Sequence, residues 1–178
     1  STRHRHPVYR RPLFWVQALL VLSIIIGAWL SLRSTVQDPV MAAPSHIGDM
    51  KRVSVLTGEA AMKKMRQIHG GDIAIVDGYL ADYQSSGEKM TLWVGMTNTE
   101  PDAEQLLERM VSAIARGGTP FSVPARVTVD GRQVFSTSGG GGTNYFFRDS
   151  RSVVWLTLIN SSMPANRLND VLKTVKFD

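Results

Sequence analysis

Two kinds of apolar pattern divide this chain. Leu13–Leu32 (LFWVQALLVLSIIIGAWLSL) is an uncharged run of twenty residues. As a helix such a run rises about 30 Å, the thickness of a bilayer's hydrocarbon core. In that medium only a helix or a closed barrel satisfies its own backbone, and one segment cannot close a barrel. The run therefore predicts a transmembrane helix. Val40-Met41-Ala42-Ala43 offers small residues at a signal-peptide cleavage point, but the apolar run exceeds the ~7–15-residue core of such peptides. An uncleaved signal anchor is expected.

Residues 33–52 carry Asp38-Pro39, Ala42-Ala43-Pro44-Ser45 and Gly48, with neither helical nor strand period, and predict an extended linker. From Val53 onward the periods return. Met62, Met65 and Ile68 share one face of a helix over Thr57–His69, with Thr57 as its cap and Gly70-Gly71 as its stop. Ile73–Tyr83 and Met90–Met96 read as strands joined by the turn Ser85-Ser86-Gly87-Glu88. Thr99–Arg116 is a second helix, with Thr99 capping and Asp102 answering it. Its apolar face is Ala103, Leu106, Leu107, Met110 and Ile114, and Gly117-Gly118 ends it.

Ala125–Val129 and Arg132–Thr137 form a hairpin about Asp130-Gly131, and Asn144–Arg148 and Ser152–Ile159 another about Asp149-Ser150-Arg151. A last helix starts at Pro164 and buries Leu168, Val171, Leu172 and Val175. The fold class is α+β: a single N-terminal transmembrane helix, then a mostly antiparallel sheet packed with about three helices on one face. The Gly-Gly pairs after both helices hint at a duplicated αββ unit. The expected organisation is a basic tail (1–12), a membrane helix (13–32), a linker (33–52) and an α+β domain (53–178).

Charge then sets orientation. Arg3, Arg5, Arg10 and Arg11 precede the span and only Arg33 follows closely. The positive-inside rule puts the N-terminus in the cytoplasm and the domain across the membrane, in the periplasm if the membrane is a bacterial inner one. The net charge of +5 suggests nucleic acid, but from Arg33 onward sixteen basic residues face fifteen acidic ones. The four arginines hold topology and meet anionic lipid headgroups, and no nucleic-acid partner is expected. The absence of cysteine excludes disulfides, thiolate metal sites and covalent c-type haem.

Within the span, Ser23, Gly27 and Ser31 recur every four residues and make a small-residue face suited to packing against another membrane helix. Trp15 and Trp29 lie near its two ends, as interfacial anchors do. The span lacks the ionisable residue that a proton relay requires.

Chemistry in the domain is sparse. Met65 and His69 stand four apart on one helix face, a spacing open to axial or copper ligation; the plainer reading is a core methionine and a histidine favoured by the helix C-terminus. Asp72, Asp77 and Asp82 recur at odd intervals on a strand, so they alternate faces and do not converge. Ser86–Lys89 matches Ser-x-x-Lys only in a turn. Gly139–Gly142 is followed by strand, not by the helix a phosphate loop needs, and reads as a connection or a close backbone approach. Beside it, Tyr145, Phe146 and Phe147, with Trp155, form a candidate partner surface or the border of an apolar ligand.

No nucleophile–base pair, metal set or cofactor motif is present in the sequence, so neither an enzyme nor a bound cofactor is expected. The sequence points to an accessory subunit of a larger membrane complex, of energy-transducing, photosynthetic or secretion type. Its partners would be other membrane subunits, met through the span and the domain. The alternative is a tethered domain that binds an apolar ligand or peptide.

Overall fold

A computed structural model describes residues 42–69 and 73–177. The predicted tail, the span with Ser23, Gly27 and Ser31, the anchors Trp15 and Trp29, and Arg3, Arg5, Arg10 and Arg11 lie outside the described residues, as does Asp72. Among the described residues no helix is long and apolar enough to cross a membrane.

The described elements are β1 (His46–Ile47), β2 (Met50–Thr57), α1 (Gly58–His69), β3 (Ile75–Ser85), β4 (Glu88–Thr97), α2 (Glu100–Ala115), β5 (Ala125–Val129), β6 (Arg132–Gly139), β7 (Gly142–Asp149), β8 (Ser152–Ile159) and α3 (Pro164–Thr174). All eight strands form one antiparallel sheet in the order β1-β2-β3-β4-β8-β7-β6-β5. The domain is thus α+β with three described helices.

The order is two four-stranded meanders, β1–β4 and β5–β8, whose last strands pair at the centre. Trp93 on β4 stands opposite Trp155 on β8 at that join. Any internal symmetry therefore relates meanders, not the αββ units the Gly-Gly pairs suggest.

Local chemistry explains the elements. Thr99 caps α2 by accepting the Asp102 amide at 3.3 Å and donating to the Asp102 carboxylate at 2.7 Å. Glu59 lies in the first turn of α1 and Arg66 and His69 in its last, the arrangement its dipole favours. Three tight hairpins turn on left-handed pairs, Ser86-Gly87, Asp130-Gly131 and Gly140-Gly141, and those of β1–β2 and β7–β8 on Gly48 and Ser150 alone.

Helices cover both faces of the sheet, not one. Leu168, Val171, Leu172 and Val175 of the α3 segment pack on Tyr79, Tyr83, Leu92, Val94, Val154 and Leu156. On the opposite face α1 packs on Leu80, and α2 packs on Phe135, Phe146 and Val153. The physical reason lies in the central strands. Met90–Met96 and Val153–Ile159 are apolar almost throughout, so each of their faces needs a cover.

The segment predicted as linker also differs. Its residues 46–47 and 50–52 belong to β1 and β2, and Ala43, Ile47 and Met50 are buried in the larger core. Arg52 donates to the Ala43 carbonyl and Tyr83 to the Pro44 carbonyl, which fastens the chain to the sheet. A few buried side chains and side-chain bonds to backbone suffice, and neither produces a sequence period.

Candidate functional site: an apolar cleft over the sheet

The side-chain ladder across the α1/α2 face is continuous. In register, Leu56, Leu80, Trp93, Trp155, Phe146, Phe135 and Arg126 succeed one another from β2 to β5. The rings of Phe135 and Phe146 stack at 5.4 Å and those of Phe146 and Trp155 at 5.0 Å, while Phe121 meets Trp155 edge-on at 5.1 Å. The Arg126 guanidinium caps the row, 5.4 Å over Phe135.

α1 and α2 cover the two sides of this ladder and leave its middle open. Between them lies a half-open cleft of about 410 Å³, with Trp93, Trp155 and Val153 as floor and Met65, Met110 and Phe121 among its walls. Gly95 makes room for the Ile75 side chain, because a Cβ at that position would lie 2.6 Å from Ile75 Cδ1.

The polar groups of Trp155 and Thr157 are already satisfied. Trp155 Nε1–H donates to Thr157 Oγ1 at 2.9 Å, and that hydroxyl donates to Asn144 Oδ1 at 2.8 Å. The buried Asn144 amide donates in turn to the carbonyl of Gly139 at 3.0 Å, with those of Thr137 and Gly142 each at 3.4 Å. This chain fixes the orientation of the indole. What the cleft presents to an occupant is mostly carbon.

Two polar groups stand apart from that network. His69 lines the cleft, and its pKa is lowered, first by burial and then by the Arg109 cation. Its ring nitrogens can donate or accept a hydrogen bond there. Thr119 accepts the Phe121 amide at 3.4 Å, which leaves its hydroxyl proton for another partner.

The structure brings Met65 and His69 into the same cleft, but among the described residues no three His, Asp or Glu side chains group as metal ligands. Asp77 and Asp82 do not meet: Asp77 accepts its neighbour's amide at Gly78, and Asp82 accepts the hydroxyls of Ser54 and Thr91. Phe146 and Phe147 are fully buried on opposite faces and Tyr145 is partly buried, so the trio builds the two cores and not a partner surface. Gly140-Gly141 is a hairpin turn, flanked by glycines that clear a neighbouring backbone.

Sequence reasoning reached Met65, His69 and Trp155 but missed Trp93, Gly95 and Phe121. The available signal was a tryptophan at matched places in two central strands, Leu92-Trp93-Val94 and Val154-Trp155-Leu156. No family model matches this chain, and no curated protein or solved structure is significantly similar to it.

Proposed function

We propose that this chain is a membrane-anchored, non-catalytic binding protein whose C-terminal domain holds an apolar ligand or apolar peptide segment in the cleft between α1 and α2. The observation that carries the proposal is the cleft itself: about 410 Å³, within the usual range of ligand sites, and lined by apolar and aromatic side chains. Trp155 and Thr157 on its floor are hydrogen-bonded within the protein, so an apolar occupant leaves those two groups satisfied. The arginine-flanked apolar run supports placing the domain outside the cytoplasm of a bacterial inner membrane.

The test uses the full chain in lipid nanodiscs with two fluorescent probes, uncharged N-phenyl-1-naphthylamine and the chain-like cis-parinaric acid. Ala113→Trp fills the cleft from α2, and Ala113→Phe is the milder alternative. At least one probe should gain fluorescence with the unmodified chain and lose that gain with the filled cleft. Equal signals from filled and unfilled proteins, for both probes, would overturn the proposal.

A second reading is an accessory subunit of a larger membrane complex. It is supported by the edge of the sheet. Among the described residues β1 pairs only with Met50 and Lys51, so the rest of β2 presents an open edge. Val53, Val55 and Leu56 on it are 54%, 39% and 45% exposed. An apolar open edge is a place for a partner's strand to add. In that case Val55→Lys should release co-purifying subunits and leave probe binding unchanged.

A further inference from the structure

Resting on the reading of Leu13–Leu32 as a membrane anchor, we propose that the corner of the domain formed by β2 and α1 docks on an anionic bilayer surface. The distribution of charge selects this corner. Residues 50–72 carry Lys51, Arg52, Lys63, Lys64 and Arg66 against Glu59 and Asp72, an excess of three. Residues 73–178 carry ten basic and eleven acidic residues, and residues 33–49 carry one and two. The positive excess after the apolar run therefore belongs to one strand and the helix that follows it directly at Gly58.

Exposure selects the same corner. Lys51, Lys63 and Lys64 are exposed. Arg66 pairs with Glu59, and Arg52 holds the Ala43 carbonyl, so attraction to a surface falls to the three lysines. Between them along the chain, Val53, Val55 and Leu56 of β2 are large apolar side chains open to solvent. Asp82 of β3, opposite Ser54, accepts the Ser54 and Thr91 hydroxyls, which partly satisfy its charge. Exposed apolar groups set among lysines are what an interfacial surface uses: the former enter the acyl boundary and the latter meet anionic headgroups.

Chain length brings this corner within reach. The Arg52 amide donates to the Ser45 carbonyl at 3.0 Å and its side chain to that of Ala43, so the chain enters the domain alongside β2. Residues 33–41 join Leu32 to Ala42, and fully extended they reach at most about 36 Å. Six strand spacings, roughly 29 Å in all, separate β2 from the opposite edge strand β5. A tether fixed beside β2 favours this corner over β5. A partner protein's strand on the open edge of β2 is the competing occupant, and it would not require the lysines of α1.

The chain has no cysteine, so one introduced thiol reports one place. Val55→Cys carries the polarity-sensitive fluorophore NBD on the full chain in nanodiscs, with Thr128→Cys on β5 as the distant reference. The discs hold phosphatidylcholine alone or with one-third phosphatidylglycerol. Emission at Val55→Cys should be at least threefold higher in the anionic discs. It should fall back in half-molar salt, which shortens the reach of exposed charges to a few ångströms. Lys63→Glu with Lys64→Glu should abolish the rise, and Thr128→Cys should show none. Equal emission at Val55→Cys in both kinds of disc overturns the docking and leaves the edge to a protein partner. A rise that survives replacement of both lysines overturns it too. The anchor is read separately, by co-elution of the chain with the discs in half-molar salt. A chain released by salt fails the anchor reading and takes the tethered docking with it; a chain retained with equal emission fails the docking alone.

Discussion

The four glycines at 139–142 act in two ways, and the difference can be tested residue by residue. Gly140 and Gly141 have φ of +61° and +84° and form the turn between β6 and β7. Gly142 has ordinary backbone, but a Cβ there would sit 2.1 Å from the Leu158 carbonyl oxygen on β8. Gly142→Ala must push β7 from β8 beside Asn144 and Thr157, which orient the Trp155 ring. Loss of about 1–3 kcal/mol is expected, the usual cost of overpacking. Gly140→Asn should be nearly neutral, since asparagine tolerates the left-handed turn. Urea midpoints of the two variants measure the contrast; equal midpoints would mean the glycines serve only as a spacer. Sequence alone offered both roles for the run but could not divide them, because clearance depends on a strand sixteen residues away. The cleft residues were hidden for the same reason. Trp93 and Gly95 acquire meaning only once Trp155 and Ile75 lie beside them.

At the scale of elements, α3 is held to one end of the sheet by Arg167. Its guanidinium pairs with Asp49 in the β1–β2 turn and with Glu88 at the start of β4, at 2.8 Å for the latter. Asp170 stands 3.6 Å from the same group, and Ser85 donates to Asp49 at 2.7 Å. The Arg167 hydrogen bond, followed by that from Ser85, holds the Asp49 pKa at about 2, against 3.8 ordinarily. Glu88 is lowered too, chiefly by Arg167. A carboxylate with a depressed folded-state pKa stabilises the fold fully above its unfolded value and loses that contribution as pH falls through the folded one. Stability should therefore decline between about pH 4 and pH 2. Asp49→Asn should lower the thermal midpoint at pH 6, and its difference from the unmodified chain should shrink toward zero near pH 2. A difference independent of pH would exclude the ionic origin.

This anchoring also explains what was legible among the elements. The α3 stripe and the hairpins were readable because helical spacing and turn chemistry are local. β2 was not: of Met50–Thr57 only Met50 is buried, and the strand owes its place to backbone pairing with β3.

At the scale of the whole molecule, the proposed membrane anchor would give the cleft access only from the side of the membrane on which the domain lies. The apolar run and its arginines were plain in the sequence, whereas the two covered faces were not, since a continuously apolar strand does not say what covers it. The side can be determined because the chain has no cysteine, so any introduced thiol is unique. Ser45 is exposed just ahead of β1, and among the described residues its hydroxyl hydrogen-bonds the neighbouring His46 ring. With four arginines before the span and one immediately after it, Ser45→Cys should react with a membrane-impermeant maleimide in intact cells. Ser1→Cys should react only after permeabilisation. The reverse pattern would place the domain in the cytoplasm and require its ligand there. If both thiols react in intact cells, the apolar run does not span. With the expected pattern, N-phenyl-1-naphthylamine added outside the inner membrane should fluoresce more strongly in spheroplasts carrying the unmodified chain than in those carrying Ala113→Trp. The cleft would then face the compartment from which its ligand arrives.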